Sequence, residues 1–399
     1  MTPTEEPRTT QPLTRFAENV PGLLDSPLNK TTPRIFVAAT RQNDGKTTTS
    51  LGLYGALRNL GYNVGYIKPV AQRLIEVGGF SVDEDTQLIN TVYDVNIPIE
   101  AMSPIAVDSS FTRRYLDDPD KLHPEIIDRV CRAFDRSSYE KDIVIIEGSG
   151  HAGVGSVFDC SNAQNARLLG SKCIIVASGG IGKPVDEIAI NKALFDQTGV
   201  ECAGVILNKV IPERAELVRD YAGRSLARIG VKLLGVLPLR CRLARPNLAQ
   251  VVQEIGGEWL HRPERNADEP GGGERVKRVI MGAMSPISIS SYLGEGVLFI
   301  LPGDRDDLLY SIIASAGLQN GAVAGGIILT NSLLPHERVM NMLRQTDIHI
   351  IGTNAESFAV TTKINNMIVK TQPEDTDKIT AIEQLIQDNI DLKDLLARL

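Results

Sequence analysis

Cysteine is scarce in this chain and never closely paired. The five thiols, Cys131, Cys160, Cys173, Cys202 and Cys241, are spread through 399 residues with no Cys-x-x-Cys spacing, so no disulfide framework is expected. Cys173 and Cys202 fall in or beside apolar strand-like runs, where a thiol behaves as a small hydrophobe. A basic excess is also missing. The formal net charge is -7, so nothing offsets phosphate repulsion, and neither nucleic acid nor an anionic membrane is expected as a general partner. The local run Arg240-Cys241-Arg242-Leu243-Ala244-Arg245 reads as a solvated face. There is no signal peptide and no apolar run of membrane length, which places the expected location in the cytoplasm. What remains, 42% hydrophobic and 23% charged residues, is the composition of a globular protein. Its length exceeds one ordinary core, so two domains are expected.

The most informative stretch runs from Ile35 to Ser50. A short apolar run, Ile35-Phe36-Val37-Ala38, reads as a buried strand. It breaks into a polar turn from Thr40 to Asp44, and Gly45-Lys46-Thr47 then opens a helix that places Leu53, Leu57 and Leu60 on one face before Gly61. Strand, loop, Gly-Lys-Thr and helix form the P-loop arrangement. Thr40, Asn43, Asp44, Gly45, Lys46, Thr47 and Thr48 are expected to bind the cofactor: backbone N–H groups and the helix N-terminus cradle phosphate, Lys46 reaches the terminal phosphates, and Thr47 supplies a magnesium ligand. The usual pattern begins with glycine five residues before Gly45, where this chain has Thr40.

Further strands follow. Asn63-Val64-Gly65-Tyr66-Ile67-Lys68-Pro69-Val70 predicts a second strand whose terminal Lys68 either faces the crevice outside the strand ends or is an ordinary surface lysine there. Asp83 and Asp85 lie at the start of the next helix, where either could cap it or complete a magnesium shell. Residues 143–146 are wholly apolar and end in Glu147, a Walker B-like shape that would hold magnesium directly or through water. Strands from Cys173, Ala203 and Leu233 alternate with helices over residues 185–198 and 215–229. That alternation predicts an α/β fold with a doubly wound, mostly parallel sheet.

Residues 1–32 are rich in Thr, Pro, Glu and Asn and are expected to form a mobile tail. A first domain over 33–259, a linker over 260–275 with three consecutive glycines, and a second, smaller α/β domain over 276–399 complete the expected organisation. The second domain shows no second P-loop. Its Asp304, Asp306 and Asp307 favour a helix N-terminus.

Residues 33–240 resemble dethiobiotin synthetase and its P-loop relatives. The likeness is carried by Thr40–Thr47, Gly65-Tyr66-Ile67-Lys68-Pro69-Val70, the Asp83/Asp85 segment, Glu147-Gly148-Ser149-Gly150 and Val205-Ile206-Leu207-Asn208-Lys209-Val210. The resemblance implies ATP and Mg2+ at Lys46 and Thr47, and contact of Lys68 with phosphates and a carbamate intermediate. It also implies metal acids at Asp85 and Glu147, adenine recognition by Asn208 with Pro238 flanking the base, and a homodimer. The second domain resembles the DRTGG domain through residues 279–285, 302–307 and 373–378, although Asp306-Asp307 stands where the name motif reads Thr-Gly-Gly. This pairing resembles the front of long bacterial phosphate acetyltransferases, and with the chain ending at Leu399 the acetyltransferase domain is expected to be absent. His151 follows Glu147-Gly148-Ser149-Gly150 and either binds substrate or caps its turn.

Two functions follow from the resemblance. One is a nucleotide-responsive regulator linked to phosphate acetyltransferase-type metabolism. The alternative is an ATP-dependent ligase that activates a carboxylate or carbamate, with Lys46 and Lys68 as catalytic residues. Amidation of the cobyrinic acid a,c-diamide synthase kind needs a cysteine nucleophile in a glutaminase domain, and residues 276–399 contain no cysteine.

Overall fold

The computed structural model describes residues 22–263, 275–318 and 325–399. Most of the expected tail (1–21) and most of the expected linker (264–274) lie outside these residues. The described chain divides into two compact units, one running to Arg240 and including Asp375–Leu399, the other spanning Cys241–Glu374.

The first unit is built on six parallel strands, β1 (Arg34–Ala39), β2 (Val64–Ile67), β3 (Ile143–Glu147), β4 (Lys172–Ser178), β5 (Cys202–Val210) and β6 (Leu233–Pro238). Their order is β6-β5-β4-β1-β3-β2. The central strands are apolar on both faces, with Phe36, Val37, Val144, Ile145, Ile174 and Ile175 fully buried. Helices cover both sides, which is what a continuous apolar strand requires. The helices used below are α1 (Lys46–Asn59), α2 (Glu84–Tyr93), α3 (Pro119–Ser138) and α4 (Thr376–Asn389).

Helix α4 falls within residues 276–399, expected to form the second domain. Instead it lies along α1, inside the first unit. Glycines on α1 permit the close approach: a Cβ at Gly52 would collide with Ile386, and one at Gly55 with the Glu383 carboxylate. Beyond α4 the backbone of Ile390 bridges Gly235 of the edge strand β6, and Lys232 pairs with Asp394 at 2.9 Å.

The second unit also departs from the expected boundaries. Its sheet has the strands β7 (Glu258–His261), β8 (Arg278–Met281), β9 (Val297–Pro302), β10 (Gly326–Thr330) and β11 (His349–Gly352), in the order β7-β11-β10-β9-β8. The last four run parallel, and β7 joins β11 antiparallel. Residues 241–259 therefore belong here and not to the first domain. The strands alternate faces with period two: Phe299, Leu301, Ile327, Leu329 and Ile350 pack on one side, and Leu298, Ile300, Ile328 and Ile351 on the other. In the loop after β9, Arg305 forks onto Asp307 at 2.8 and 2.9 Å, while Asp306 accepts from the His336 N–H. Among the described residues, no helix is long and apolar enough to cross a membrane.

Part of the segment expected to be mobile is tied down. Asp135 on α3 accepts from the backbone N–H groups of Leu28 and Asn29 at 2.9 and 2.8 Å, and Asp128 from that of Leu24. Burial pushes the Asp135 carboxyl above its ordinary value, opposed by those N–H donors and by Lys30 and Arg34. Asp135→Ala strands both donors and should lower the unfolding free energy by about 1–3 kcal/mol, read as a shift of the urea midpoint with faster proteolytic cleavage between residues 22 and 33.

Candidate nucleotide-binding site

The loop after β1 is held from beneath. The Thr40 hydroxyl donates to Asp44 Oδ2 at 2.6 Å and the Ser178 hydroxyl to Asp44 Oδ1 at 2.6 Å, while the Asn208 amide donates to the Asp44 carbonyl at 2.9 Å. Lys209 Nζ donates to the Asn43 carbonyl. Thr40, in the place of the usual glycine, thus braces the loop. Asn43 and Gly45 take left-handed backbone conformations, at φ 65 and 105°. At position 45 a side chain is excluded twice over, by that angle and by the Asn208 amide lying against the Cα.

The consequence is an open helix end. α1 starts at Lys46 with Gly45 as N-cap, no capping side chain and no acid in its first turn. Unsatisfied N–H groups and the positive end of the helix dipole are left for an anion. Lys46, Thr47 and Thr48 make up that turn. Lys46 is buried, which lowers its pKa, with Glu147 pulling the other way.

Beside this end lies a cluster of charge. β2 and β3 are neighbours with Ile67 paired to Ile146, so Lys68 and Glu147 emerge side by side. The Lys68 ammonium lies 2.8 Å from Asp83 Oδ1 and 3.9 Å from Glu147 Oε1, and it bonds Asp85 directly. Asp83 also caps α2 through the Asp85 N–H and accepts from the Gln72 N–H, so capping and ion pairing are one role. Glu147 is fully buried and accepts from the Thr47 hydroxyl and the Tyr66 hydroxyl, each at 3.0 Å.

These contacts govern protonation. Burial alone would lower Lys68, but Asp85, Glu147 and Asp83 together raise it far above the ordinary lysine value. Burial would raise Asp85, yet Lys68, the Thr47 hydroxyl and Lys46 bring it below the ordinary range. Glu147 is raised, chiefly by burial and further by the charge of Asp85, against the pull of Lys68 and Lys46.

The structure therefore gathers Lys46, Thr47, Lys68, Asp83, Asp85 and Glu147 around one helix end. Thr40, Asn43, Asp44 and Gly45 form the loop, with Asn208 beneath it. The two polar ends of the Asn208 amide hold the Asp44 carbonyl and the Lys209 N–H, so its visible work is bracing. Pro238 ends β6, beside Val210 of β5. His151 is exposed and accepts from the Gly153 N–H at 3.2 Å, the turn-capping alternative. Sequence reasoning missed three supports: Tyr66, Ser178 and Asn162. The Asn162 amide accepts from Ser149 N–H and donates to the Ser149 and His151 carbonyls. Tyr66 was detectable, since it lies two residues before Lys68 and faces the same side of its strand.

The oxygen-only set of Thr47, Asp85 and Glu147 fits magnesium, which takes one or two carboxylates plus phosphate and water oxygens. Lys68 already shows that these carboxylates converge on a cation. Among the described residues, no three His, Cys, Asp or Glu side chains form a complete metal cage.

The fold and site are those of a P-loop NTPase-like protein joined to a second α/β module. The model of the AAA domain family AAA_26 matches residues 33–247, and the chain belongs to that family. The DRTGG domain model matches residues 250–367, earlier in the chain than the expected 276–399. Phosphate acetyltransferase of Pseudomonas aeruginosa is 25% identical over 380 residues, 91% of this chain and 51% of that protein. The Nitrosomonas europaea enzyme is 27% identical over 317 residues, 77% and 43% of the two chains. The chain spans about half the length of these relatives. Among solved structures, MinD of Pyrococcus horikoshii covers 53% of this chain and 83% of its own at 20% identity, with a TM-score of 0.33. The CBS and DRTGG domains of Clostridium perfringens pyrophosphatase cover 37% and 60% at 17% identity, with a TM-score of 0.25.

Lys68→Met leaves three carboxylates around a neutral chain and should cost about 3–5 kcal/mol at neutral pH, the usual loss on breaking a buried charge pair. In the wild type, the stability gained from the depressed Asp85 is present above the ordinary aspartate value and lost as pH falls through its lower folded value. In the variant the carboxylates are raised, so stability is lost as pH rises. The difference between the two proteins in urea melts should therefore be largest near pH 8 and shrink toward pH 4.

Proposed function

We propose that this chain binds ATP with Mg2+ at the N-terminus of α1 and acts as a nucleotide-responsive regulator linked to phosphate acetyltransferase-type metabolism. The observation that carries this is the uncapped, acid-free first turn of α1 with Lys46 and Thr47 on it, beside Asp85 and Glu147. Lys46 would meet the terminal phosphates. Thr47, Asp85 and Glu147 would hold magnesium, whose role is to neutralise phosphate charge. Asn208 and Pro238, at the ends of β5 and β6, would flank the base. The likeness to phosphate acetyltransferases supplies the metabolic setting, and a cytoplasmic homodimer is the expected form.

Regulation is favoured over synthesis by the state of Lys68. Its charge is already divided among three carboxylates, whereas a ligase of the dethiobiotin synthetase kind needs that ammonium on the transferred phosphoryl group. The ligase remains the second reading because Lys46, Lys68, Asp85 and Glu147 converge, which is more than nucleotide binding requires.

The test measures ATP affinity and turnover, with and without magnesium, for wild type and Lys46→Ala. The expected result is magnesium-dependent binding with slow turnover, weakened at least tenfold in the variant. Diaminopelargonic acid and bicarbonate should leave turnover unchanged. Strong stimulation by those substrates would make the ligase correct, and binding that ignores Lys46 would remove the P-loop assignment.

A further inference from the structure

Two helices carry the candidate site at their N-terminal ends: Lys46 and Thr47 open α1, and Asp83 and Asp85 open α2. Both are gripped further along by one side chain of α4. Glu383 accepts from the Tyr93 hydroxyl at 2.8 Å, and Tyr93 is the last residue of α2. The same carboxylate accepts from the Asn59 amide at 3.4 Å, at the end of α1, and its stem packs against Gly55 of that helix. Tyr93 is bound into α1 as well. Its hydroxyl lies 3.1 Å from the Leu51 carbonyl, its ring stacks on Tyr54 at 4.6 Å, and its carbonyl accepts from Arg58 at 2.6 Å. Burial, and then Glu383, raise the Tyr93 phenol far above its ordinary value, so it stays a neutral donor.

α4 is itself anchored. Ile382, Leu385 and Ile386 are buried, Ile390 bridges Gly235 on β6, and a Cβ at Gly235 would fall 2.6 Å from the Asn389 carbonyl. The chain thus leaves the first unit after Arg240, two residues past the end of β6, and returns to it at Asp375. Residues 241–374 are joined in the chain to this first unit at both of their ends.

We propose that α4 is a coupling clamp. It registers the relative position of α1 and α2, about 14 Å from the phosphate end by the helical rise between Lys46 and Gly55, and passes a shift to residues 241–374 through their two attachments. The clamp rests on nucleotide binding as proposed above and adds the route by which the bound state is read. A ligand that bridges Lys46 and Thr47 to Asp85 and Glu147 changes the relation between the two helices. Glu383 touches both, so its contacts differ between the two states. Linkage then requires the reverse effect: disturbing the clamp alters nucleotide affinity.

The test uses the full chain. Hydrogen exchange is followed in peptides covering 376–389 and 241–374, with and without ATP and magnesium, and ATP affinity is compared for wild type, Gly55→Ala and Glu383→Ala. Gly55→Ala forces the Glu383 carboxylate aside with one methyl group. Glu383→Ala removes the acceptor without crowding, and it decides the matter if the first variant does not fold. The expected result is altered exchange in both regions on ATP addition, and a change of at least about fivefold in affinity in the variants. Wild-type binding with unaltered exchange and equal affinities in both variants would reduce α4 to passive packing and overturn the clamp. Absence of ATP binding by the wild type is a separate failure, which removes the nucleotide site and the clamp together.

Discussion

The buried ammonium of Lys68 sets the terms for the first unit. Lys68 is stable where it lies only because Asp83, Asp85 and Glu147 surround it, since an unpaired buried charge costs several kcal/mol. That requirement constrains the scaffold. β2 and β3 must end side by side to present Lys68 beside Glu147, and α2 must start at the same point so that Asp83 can cap it and still reach the ammonium. Tyr66 and Thr47 then satisfy the remaining oxygens of Glu147. The carboxylates, the strand ends and two helix starts form one electrostatic unit.

α1 serves as the beam common to everything else. Its first turn is left uncapped, and its loop is braced by Thr40, Ser178 and Asn208 acting on Asp44. Further along, Gly52 and Gly55 strip one face of side chains so that α4 can lie close. Glycine within a helix costs roughly 0.5–1 kcal/mol against alanine. Two of them on one face are offset by the burial of Ile382 and Ile386.

Much of this was legible in the sequence where the signal is local. Apolar runs ending in Lys68, Glu147 or a Gly-Lys-Thr turn identify strand ends and a helix start, and in a parallel sheet strand ends share one edge. The fold class and the gathering of Lys46, Thr47, Lys68 and Glu147 follow from that, whereas the place of Asp85 rests only on the family resemblance. The return of residues 375–399 does not. The amphipathic pattern of α4 states that one face is buried, but not against which helix. The evidence for its partner lies more than 300 residues earlier, in two glycines of α1 that look like mere weak points. The four residues of β7 were similarly hidden, because a short edge strand beside a glycine-rich stretch has no period of its own to detect. The Asp44 brace escaped because Thr40 invites comparison with the missing glycine, whereas its function is to donate a hydrogen bond.

The charge count at the site bears on how it would work. Lys46 and Lys68 face Asp83, Asp85 and Glu147, two cations against three anions when all are ionised, so the cluster is slightly negative before any ligand arrives. A triphosphate brought to such a place is repelled by the carboxylates as strongly as it is drawn by the lysines, and the helix end alone contributes only about half a unit of positive charge. A divalent cation reverses the balance. Asp85 and Glu147, which would hold such a cation on the proposed reading, are among the carboxylates that now hold Lys68. Phosphate, magnesium and the Lys68 ammonium would then not be independent occupants. On that reading their arrival would disturb the pairs Lys68 makes with Asp83 and Asp85 at the start of α2, while Glu383 lies against the far ends of α1 and α2.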